Sequence, residues 1–431
     1  MLKRKIYGDL IRWKNRDHKK VLVIEGARQV GKTFIVETFA RENYKRQVLV
    51  NFAQSSRLAQ AFSGELSVDH IISQLSVLIP DSEFGAGDTI IILDEIQLCP
   101  NAITSLKFFS MDGRFDVIAT GSLLGINYKE VVLFPVGYIE RLEMHSLDFE
   151  EFLLANKMKP TAIEDLRTYF ETKKPVPEAI HERMLELFRE YIVVGGMPAV
   201  VNEYVRTHHF GNVLKIQKDI VADYLYDIAK YADGAEKTKA RECFLSIPNQ
   251  LFRDYKKFRY AIVDKHGNAR KYAGSLMWLL DAGIISFCNN LERIELPLEG
   301  NVIPDAFKVY MRDTGLLVSM LEEGSAADIL AGDLGIYKGA LYENIIADIF
   351  TKSGKKLYYY EYRSNIEMDF IIRYEGEATA VEVKSADHTK SKSMKSIMEN
   401  YGVKKGIKLS SKNVGYSNNV TTYPLYMAIF L

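Results

Sequence analysis

The feature that most constrains this fold is a short glycine-rich segment between an apolar run and a helical one. Residues 26–33 read Gly-Ala-Arg-Gln-Val-Gly-Lys-Thr and directly follow the apolar run Val21–Glu25. The pattern G-x-x-x-x-G-K-[ST], placed after a strand and at the start of a helix, is typical of a loop that surrounds phosphate groups with backbone N–H groups. The sequence therefore predicts a P-loop, with this segment at the carboxyl end of a buried strand.

The residue types in this loop suit the binding of ATP. Glycines let the backbone curl around the phosphates, Lys32 reaches the β and γ phosphates, and Thr33 supplies a hydroxyl ligand to Mg²⁺. The predicted nucleotide-binding residues are Gly26, Ala27, Arg28, Gln29, Val30, Gly31, Lys32 and Thr33. A tight turn without a ligand is the alternative, but the flanking strand and helix favour the phosphate site.

A second motif further along the chain supports the first. The apolar run Thr89-Ile-Ile-Ile-Leu93 ends in Asp94 and Glu95. P-loop nucleotide hydrolases use such a strand, ending in acidic residues, for the metal and the attacking water. Asp94 is predicted to hold Mg²⁺, and Glu95 is predicted to orient and deprotonate the water. We therefore expect an ATPase in which Glu95 and Lys32 are catalytic.

Other contacts to the γ phosphate are less specific. The next strand ends in Thr120-Gly121-Ser122, which places small hydroxyl side chains at the carboxyl edge of the sheet. Ser122 is the predicted contact and Thr120 the second choice, with a capped turn as the alternative. Arg114 and Arg141 are candidates for an arginine that neutralises transition-state charge, and neither lies in a motif that decides between them.

Composition excludes several classes of protein. A chain of 431 residues is long enough for roughly two to four domains. Lys plus Arg equals Asp plus Glu at 56 each, so any contact with nucleic acid must come from a local basic patch. The three cysteines, Cys99, Cys243 and Cys288, lack disulfide or zinc spacing. No segment approaches the roughly 18 apolar residues of a membrane span, so we expect a cytoplasmic protein without a membrane partner.

The order of helical and strand-like runs predicts a multidomain α/β protein. Residues 1–150 form the P-loop domain with a parallel sheet built from Val21–Glu25, Gln47–Phe52, Thr89–Leu93 and Asp116–Thr120. Residues 151–234 are predicted to form a helical lid, opened by a capping box between Asp148 and Glu151.

The remaining residues predict two further modules. Residues 235–325 contain two helices, Thr238–Arg253 and Lys271–Ala282, followed by strand-like runs, an order typical of a winged helix. Residues 326–431 begin with the predicted helix Gly339–Lys352 and continue with three strands and a basic helix near Met394, which indicates a third α/β unit.

These segments together resemble a group of prokaryotic predicted ATPases of the AAA+ class, nearly end to end. The motifs that carry the resemblance are residues 25–33, 93–97, 119–122, 147–152, 195–198, 278–283 and 310–317. Gly195-Gly-Met-Pro198 looks like the G-x-P element whose backbone contacts adenine, so the resemblance adds Pro198 to the nucleotide site; a helix-breaking turn is the alternative. AAA+ ATPases often complete their sites across subunits, so the resemblance also implies a homo-oligomer.

The C-terminal unit resembles the core of PD-(D/E)xK nucleases. Glu343 lies on a predicted helix, Asp369 opens a strand, and Glu382 and Lys384 lie on the next strand, facing the same way. The resemblance implies that Asp369 and Glu382 bind Mg²⁺, that Glu343 completes the acidic cluster and that Lys384 activates water. Solvated strand faces are the alternative.

Two basic clusters are candidates for contact with double-stranded DNA, with a solvated face as the alternative in each case. They consist of Lys256, Lys257 and Arg259, and of Lys390, Lys392 and Lys395. The main hypothesis is an ATP-driven switch that hydrolyses ATP. One alternative is an ATP-regulated, metal-dependent DNA endonuclease, and another is a nucleotide-gated signalling or scaffold protein with little turnover.

Overall fold

The structure is a computed structural model that describes residues 2–121, 135–231, 234–253, 256–333, 335, 338–362, 366–384 and 392–431. It divides into two compact units, Lys3–Ser146 and Leu147–Leu431. None of the helices in these ranges has the length and apolar character needed to cross a bilayer.

The first unit is built on a five-stranded sheet in the order β2-β3-β4-β1-β5, and all neighbouring strands run parallel. The strands are β1 (Val21–Glu25), β2 (Arg46–Asn51), β3 (Thr89–Asp94), β4 (Asp116–Gly121) and β5 (Ile139–Glu143). The helices are α1 (Ile6–Lys14), α2 (Lys32–Asn43), α3 (Val68–Leu78) and α4 (Pro100–Asp112), with 3₁₀ helices at Ser56–Phe62 and Ile96–Leu98. The four predicted strands are confirmed within one residue at each end, and β5 is an additional edge strand.

The register of this sheet positions the candidate site. Every residue of β3 is buried, as expected for a central parallel strand covered on both faces. Asn51 pairs with Asp94 across β2 and β3, and Glu25 pairs with Gly121 across β1 and β4. Because parallel strands end at the same edge, the residues that follow these strands gather at one place.

The second unit begins with a helical segment. Its helices are α5 (Phe149–Ala155), α6 (Pro160–Thr172), α7 (Glu178–Val194), α8 (Pro198–Thr207) and α9 (Phe210–Tyr231). The predicted capping box opens α5: Glu151 N donates to Asp148 Oδ1 at 2.8 Å, and Asp148 N donates to Glu151 Oε2 at 3.1 Å. The predicted helical character of this stretch is therefore confirmed.

Helices followed by a β-hairpin make up the middle of the second unit, as predicted. They are α10 (Gly234–Leu251), α11 (Tyr260–Val263), α12 (Ala269–Asp281), β6 (Ile285–Leu291) and β7 (Val302–Met311). Strand β6 pairs antiparallel with β7 and parallel with β8 (Leu357–Tyr362), which in turn pairs with β9 (Ile366–Met368). This four-stranded sheet joins strands from the predicted segments 235–325 and 326–431.

The C-terminal part carries a mixed sheet in the order β10-β11-β12-β14-β13. Its strands are β10 (Phe370–Tyr374), β11 (Glu377–Val383), β12 (Gly406–Ser410), β13 (Gly415–Ser417) and β14 (Val420–Pro424), and its helices are α13 (Thr314–Ser319), α14 (Ser325–Ala331), α15 (Lys338–Lys352) and α16 (Lys392–Asn400). A final 3₁₀ helix spans Leu425–Phe430. Asp369 does not open a strand as predicted, because the chain changes at this residue from β9 in one sheet to β10 in the other.

Three of the sequence motifs, residues 147–152, 195–198 and 310–317, meet inside the second unit, and the last two contribute glycines. Leu147 N donates to Gly196 O at 2.7 Å, and Gly196 N donates to Asp313 Oδ2 at 2.9 Å. A Cβ atom on Gly196 would lie 2.0 Å from the carbonyl oxygen of Leu147, and one on Gly315 would lie 2.6 Å from Gly195 N. Close backbone approach therefore explains the glycines in both motifs.

We expect Gly196→Ala to lower the free energy of unfolding by roughly 3 kcal/mol, because backbone atoms must move to admit the methyl group. Gly415→Ala is the matched control, since a Cβ atom there has nothing within 4 Å, and it should cause no loss. Urea unfolding followed by circular dichroism measures both. Equal stability of the two variants would contradict the packing described for residues 195–196.

Candidate nucleotide-binding site

The P-loop has a backbone conformation that requires its glycines. The φ angles are 150° at Gly26 and 95° at Gly31, which are values that favour glycine. Gln29 between them also has a positive φ, 64°, which is uncommon for a residue with a side chain. A Cβ atom on Gly26 would also lie 2.1 Å from the carbonyl oxygen of Met144. Helix α2 begins at Lys32 without a side-chain cap, so its first N–H groups are oriented to bind an anion.

The side chain of Lys32 is buried against the backbone of the P-loop. Its Nζ donates to the carbonyl oxygens of Gly26 at 2.9 Å and Ala27 at 2.8 Å. Burial lowers the pKa of Lys32 to about 8, although Glu95 and Asp94 raise it. Phosphate oxygens carry negative charge, so they form stronger hydrogen bonds with an ammonium group than these neutral carbonyl oxygens do. The ammonium group is thus in reach of the site where phosphates are predicted.

Asp94 is buried at the end of β3 and accepts hydrogen bonds from three neutral donors. Thr33 Oγ1 lies 3.0 Å from Oδ1, Asn51 Nδ2 lies 2.7 Å from Oδ2, and the Thr120 hydroxyl contacts Oδ1. The structure therefore brings together Thr33 and Asp94, the two predicted Mg²⁺ ligands. A carboxylate beside hydroxyl oxygens fits Mg²⁺, which takes oxygen ligands and is usually held by one or two protein groups, phosphates and water.

Glu95 follows Asp94 in an unusual backbone conformation, with φ 55° and ψ 44°. This left-handed conformation costs of the order of 1 kcal/mol or more for a residue with a side chain, and such strain clusters at functional sites. Gln97 Nε2 donates to Glu95 Oε2 at 2.5 Å. The carboxylate of Glu95 is therefore held in a defined orientation next to Asp94.

Two residues of this site were not predicted from the sequence. Asn51 ends β2 and anchors its own loop, since its Oδ1 accepts from the backbone N of Ala53 and of Gln54 at 2.9 Å each. Gln97 lies within the predicted motif of residues 93–97 but was given no role there. A polar amide at the end of an apolar strand was the available signal for Asn51.

The less specific predictions have different outcomes. Ser122 lies outside the described residues, so its γ-phosphate contact stays a prediction, while Thr120 is placed against Asp94. Arg114 precedes β4, at the sheet edge opposite the P-loop, and pairs with Asp69 at 2.6 Å and Asp112 at 2.7 Å. Arg141 Nε lies 3.6 Å from Glu25 Oε1, next to the loop.

Pro198 belongs to the second unit, where it lies in the first turn of α8. Proline suits that position because it lacks an N–H that would be left without a helical partner. The preceding glycines are explained by packing against Leu147 and Asp313. The adenine contact of Pro198 stays a prediction.

Asn51→Asp tests the environment of Asp94. The variant keeps the acceptor for Ala53 N and Gln54 N but replaces the donor to Asp94 with a second carboxylate. Without divalent cations we expect a loss of about 2 kcal/mol in the free energy of unfolding, and added Mg²⁺ should restore much of it. Thermal melts in EDTA and in Mg²⁺ measure this effect. In the control Asn51→Ala, Mg²⁺ should raise the melting temperature by no more than it does in the wild type. An equal rise in melting temperature for both variants would contradict the prediction.

One residue of the predicted second site, Glu343, belongs to an ion cluster in the second unit that includes Lys256, Lys308 and Glu367. Glu343 on α15 contacts the ammonium group of Lys256 and accepts a hydrogen bond from Tyr310 Oη at 3.1 Å. Lys308 on β7 is buried, and its Nζ lies 2.7 Å from Glu367 Oε1 and 3.7 Å from Glu343 Oε2. Burial opposes ionisation of Glu343, but Lys256 and Lys308 lower its pKa below the usual value.

Asp369 lies beside this cluster. Burial and the charge of Glu343 raise the pKa of Asp369 to about 7, against the opposing effect of Lys308. Its Oδ2 accepts from Val383 N at 2.7 Å. Glu382 Oε1 lies 2.7 Å from Lys384 Nζ, so these two side chains face the same way, as predicted.

The cluster as arranged does not fit a divalent cation, because the ammonium groups of Lys256 and Lys308 neutralise Glu343. Within the described ranges, no three His, Cys, Asp or Glu side chains form a group that could hold a metal ion. Metal binding by Glu343, Asp369 and Glu382 would require this arrangement to change, and it stays a prediction.

We expect Lys308→Met to lower the free energy of unfolding by about 3–5 kcal/mol, because it removes a buried cation from beside the buried carboxylate of Glu343. Lys356→Met is the control, since the side chains of Lys356 and its partner Glu299 are 67% and 69% exposed and such a surface pair contributes little to stability. Guanidinium unfolding of both variants makes the comparison. Losses of the same size would show that Lys308 does not stabilise the cluster.

The two basic clusters are only partly available to DNA. Lys256 is used in the ion pair with Glu343, whereas Lys257 and Arg259 are exposed. Lys392 is exposed, and Lys395 Nζ lies 3.6 Å from Glu399 Oε1. Lys390 lies outside the described residues.

Family models match three parts of the chain. Residues 18–153 match the model of an AAA domain. Residues 185–327 and 338–427 match models described as domains of unknown function, DUF8612 and DUF4143. The AAA match includes the P-loop, Asp94 and Glu95, and it confirms the predicted P-loop ATPase fold of the AAA+ class. The other two descriptions test neither the winged-helix nor the nuclease-like prediction.

Several solved structures are similar to the chain, while no curated protein matches it. The Walker-type ATPase PABY2304 of Pyrococcus abyssi is 15% identical, with 74% of this chain and 96% of that chain covered and a TM-score of 0.46. The ORC1 protein of Aeropyrum pernix in complex with DNA is 13% identical, with 77% of this chain and 91% of that chain covered and a TM-score of 0.27. AMPPCP-bound DnaA of Aquifex aeolicus is 12% identical, with 64% of this chain and 86% of that chain covered and a TM-score of 0.28. All three TM-scores lie below 0.5, so these similarities assign neither a ligand nor a partner to this chain.

Proposed function

We propose that the chain is a Mg²⁺-dependent ATPase of the AAA+ class that acts as a nucleotide-driven switch. The observation that carries the proposal is the convergence of Lys32, Thr33, Asp94 and Glu95 at the carboxyl edge of one parallel sheet. Each of these side chains has the chemistry that phosphate transfer to water requires at that position.

Binding of ATP is assigned to the P-loop. The N–H groups of residues 27–33 and the start of α2 surround the phosphates, and Lys32 exchanges the carbonyls of Gly26 and Ala27 for phosphate oxygens. Thr33 and Asp94 would hold Mg²⁺, which would supply positive charge to offset the negative charge that develops in the transition state.

Hydrolysis is assigned to Glu95. A carboxylate within reach of the attacking water accepts its proton as the oxygen approaches the γ phosphorus. The hydrogen bond from Gln97 to Oε2 directs the carboxylate, and Oε1 is the oxygen that takes the proton. The fixed backbone conformation of Glu95 keeps this oxygen at the edge of the sheet where the phosphates are bound.

The second unit is proposed to respond to the nucleotide. Residues 151–234 would act as a helical lid, 235–325 as a winged-helix-like module, and 326–431 as a nuclease-like domain. The order of helices and antiparallel hairpin in α10 to β7 and the mixed sheet with α15 support these assignments. Proposed partners are ATP and ADP, double-stranded DNA and further copies of the chain.

The endonuclease alternative makes a stricter demand on the structure. Lys256 and Lys308 would have to move away from Glu343 before a metal ion could bind there. A nucleotide-gated scaffold needs no such rearrangement. The ATPase hypothesis has the most direct support, because its predicted residues already lie together at the carboxyl edge of one sheet.

Four variants test the proposal. Lys32→Ala should abolish ATP binding, whereas Glu95→Gln should bind ATP and lose turnover by about 100-fold or more. The matched controls are the exposed Lys45→Ala and Glu65→Gln, and both should behave as the wild type. Binding of a fluorescent ATP analogue and phosphate release are measured with and without double-stranded DNA.

The outcomes of this experiment separate the alternatives. Turnover that needs Lys32 and Glu95, and that rises with DNA, would support an ATPase acting on nucleic acid. Tight ATP binding by a wild type with no turnover in either condition would reject the ATPase reading and leave a nucleotide-gated binding protein.

A further inference from the structure

Gln97 is a buried side chain that uses only one of the two polar groups of its amide in a hydrogen bond. It lies in the 3₁₀ helix Ile96–Leu98, and the residue is 5% exposed. Its Nε2 donates to Glu95 Oε2 at 2.5 Å. In the part of the chain that the structure describes, its buried Oε1 has no hydrogen-bond partner. Because an unsatisfied buried acceptor destabilises a protein, its presence calls for an explanation.

The free oxygen lies at the end of β4. A Cβ atom on Gly121, the last residue of that strand, would lie 2.5 Å from Gln97 Oε1. Strand β4 lies between β3, which carries Asp94, and β1, which leads into the P-loop. The amide of Gln97 therefore extends from Glu95 toward the sheet edge where a γ phosphate is expected, and glycine at position 121 leaves room for it.

The two halves of this amide match the needs of a carboxylate that activates water. Nε2 donates to one oxygen of Glu95 and fixes the plane of its carboxylate. Oε1 is an acceptor, and a water molecule that gives one proton to Glu95 has a second hydrogen to donate. A single side chain can thus orient both the base and the water.

We propose that Gln97 positions Glu95 and the attacking water for ATP hydrolysis, an inference that rests on the proposed function. The water oxygen forms a bond to the γ phosphorus while the bond from that phosphorus to the bridging oxygen of ADP breaks. One water proton passes to Glu95 Oε1 and then to solvent. The other hydrogen, directed by Gln97 Oε1, stays on the phosphate product.

Gln97→Met provides the test, because methionine has a similar shape but neither the donor nor the acceptor. We expect kcat to fall about 100-fold, as when one oriented hydrogen bond at a reacting centre is removed, while the Kd for ATP changes by less than about twofold. Thermal stability should change little, because the loss of the hydrogen bond to Glu95 is offset by the removal of an unsatisfied buried oxygen. The control Gln60→Met changes an exposed glutamine and should leave all three values unchanged.

A double-mutant cycle separates positioning from a structural effect. If Gln97 acts through Glu95 and its water, Gln97→Met should have little further effect on kcat in the Glu95→Gln background. Unchanged kcat in Gln97→Met, or a loss that multiplies fully with that of Glu95→Gln, would overturn the inference.

Lys32→Ala, measured in parallel, distinguishes this inference from the proposed function. Turnover that depends on Lys32 but survives Gln97→Met rejects only the role of Gln97. Turnover that is absent from the wild type, or that persists in Lys32→Ala, rejects the proposed function and the inference with it.

Discussion

The buried carboxylate of Asp94 is the interaction on which the candidate site depends. It accepts hydrogen bonds from Thr33, Asn51 and Thr120, and these residues come from α2, β2 and β4. An ionised carboxylate can be buried only when such donors replace its water. The donors also align the ends of three strands with the first turn of the P-loop helix. The contacts that stabilise this carboxylate in the absence of a ligand therefore also hold the predicted Mg²⁺ ligands, and Glu95 beside them, in place.

The second unit uses buried charge in a different way. Lys256 and Lys308, from residues 235–325, neutralise Glu343 and Glu367, from residues 326–431, and β6 pairs with β8 across the same two segments. Shared backbone hydrogen bonds and ion pairs make these segments parts of one packed structure.

The sequence was informative where a short motif or a continuous apolar run determines the local structure. Residues 26–33 and the run before Asp94 specified the loop, the strands and the predicted metal ligands. Long-range register was not readable in this way. Asn51 contacts Asp94 only because β2 pairs with β3. The sequence around Lys308 is that of an ordinary strand, and its contact with Glu343 depends on the packing of β7 beside α15. For the same reason the sequence predicted that Asp369 opens a strand, whereas Asp369 lies between β9 and β10, which belong to different sheets.

A crystal structure of the protein with Mg²⁺ and a non-hydrolysable ATP analogue would test the central claim most directly. We expect Lys32 Nζ to leave the carbonyl oxygens of Gly26 and Ala27 for the β and γ phosphates. We also expect Mg²⁺ to bind beside Thr33 Oγ1, with Asp94 as a ligand directly or through water, and a water molecule to lie between Glu95 and Gln97. A nucleotide bound elsewhere, with Lys32 still on its loop carbonyls, would contradict this site.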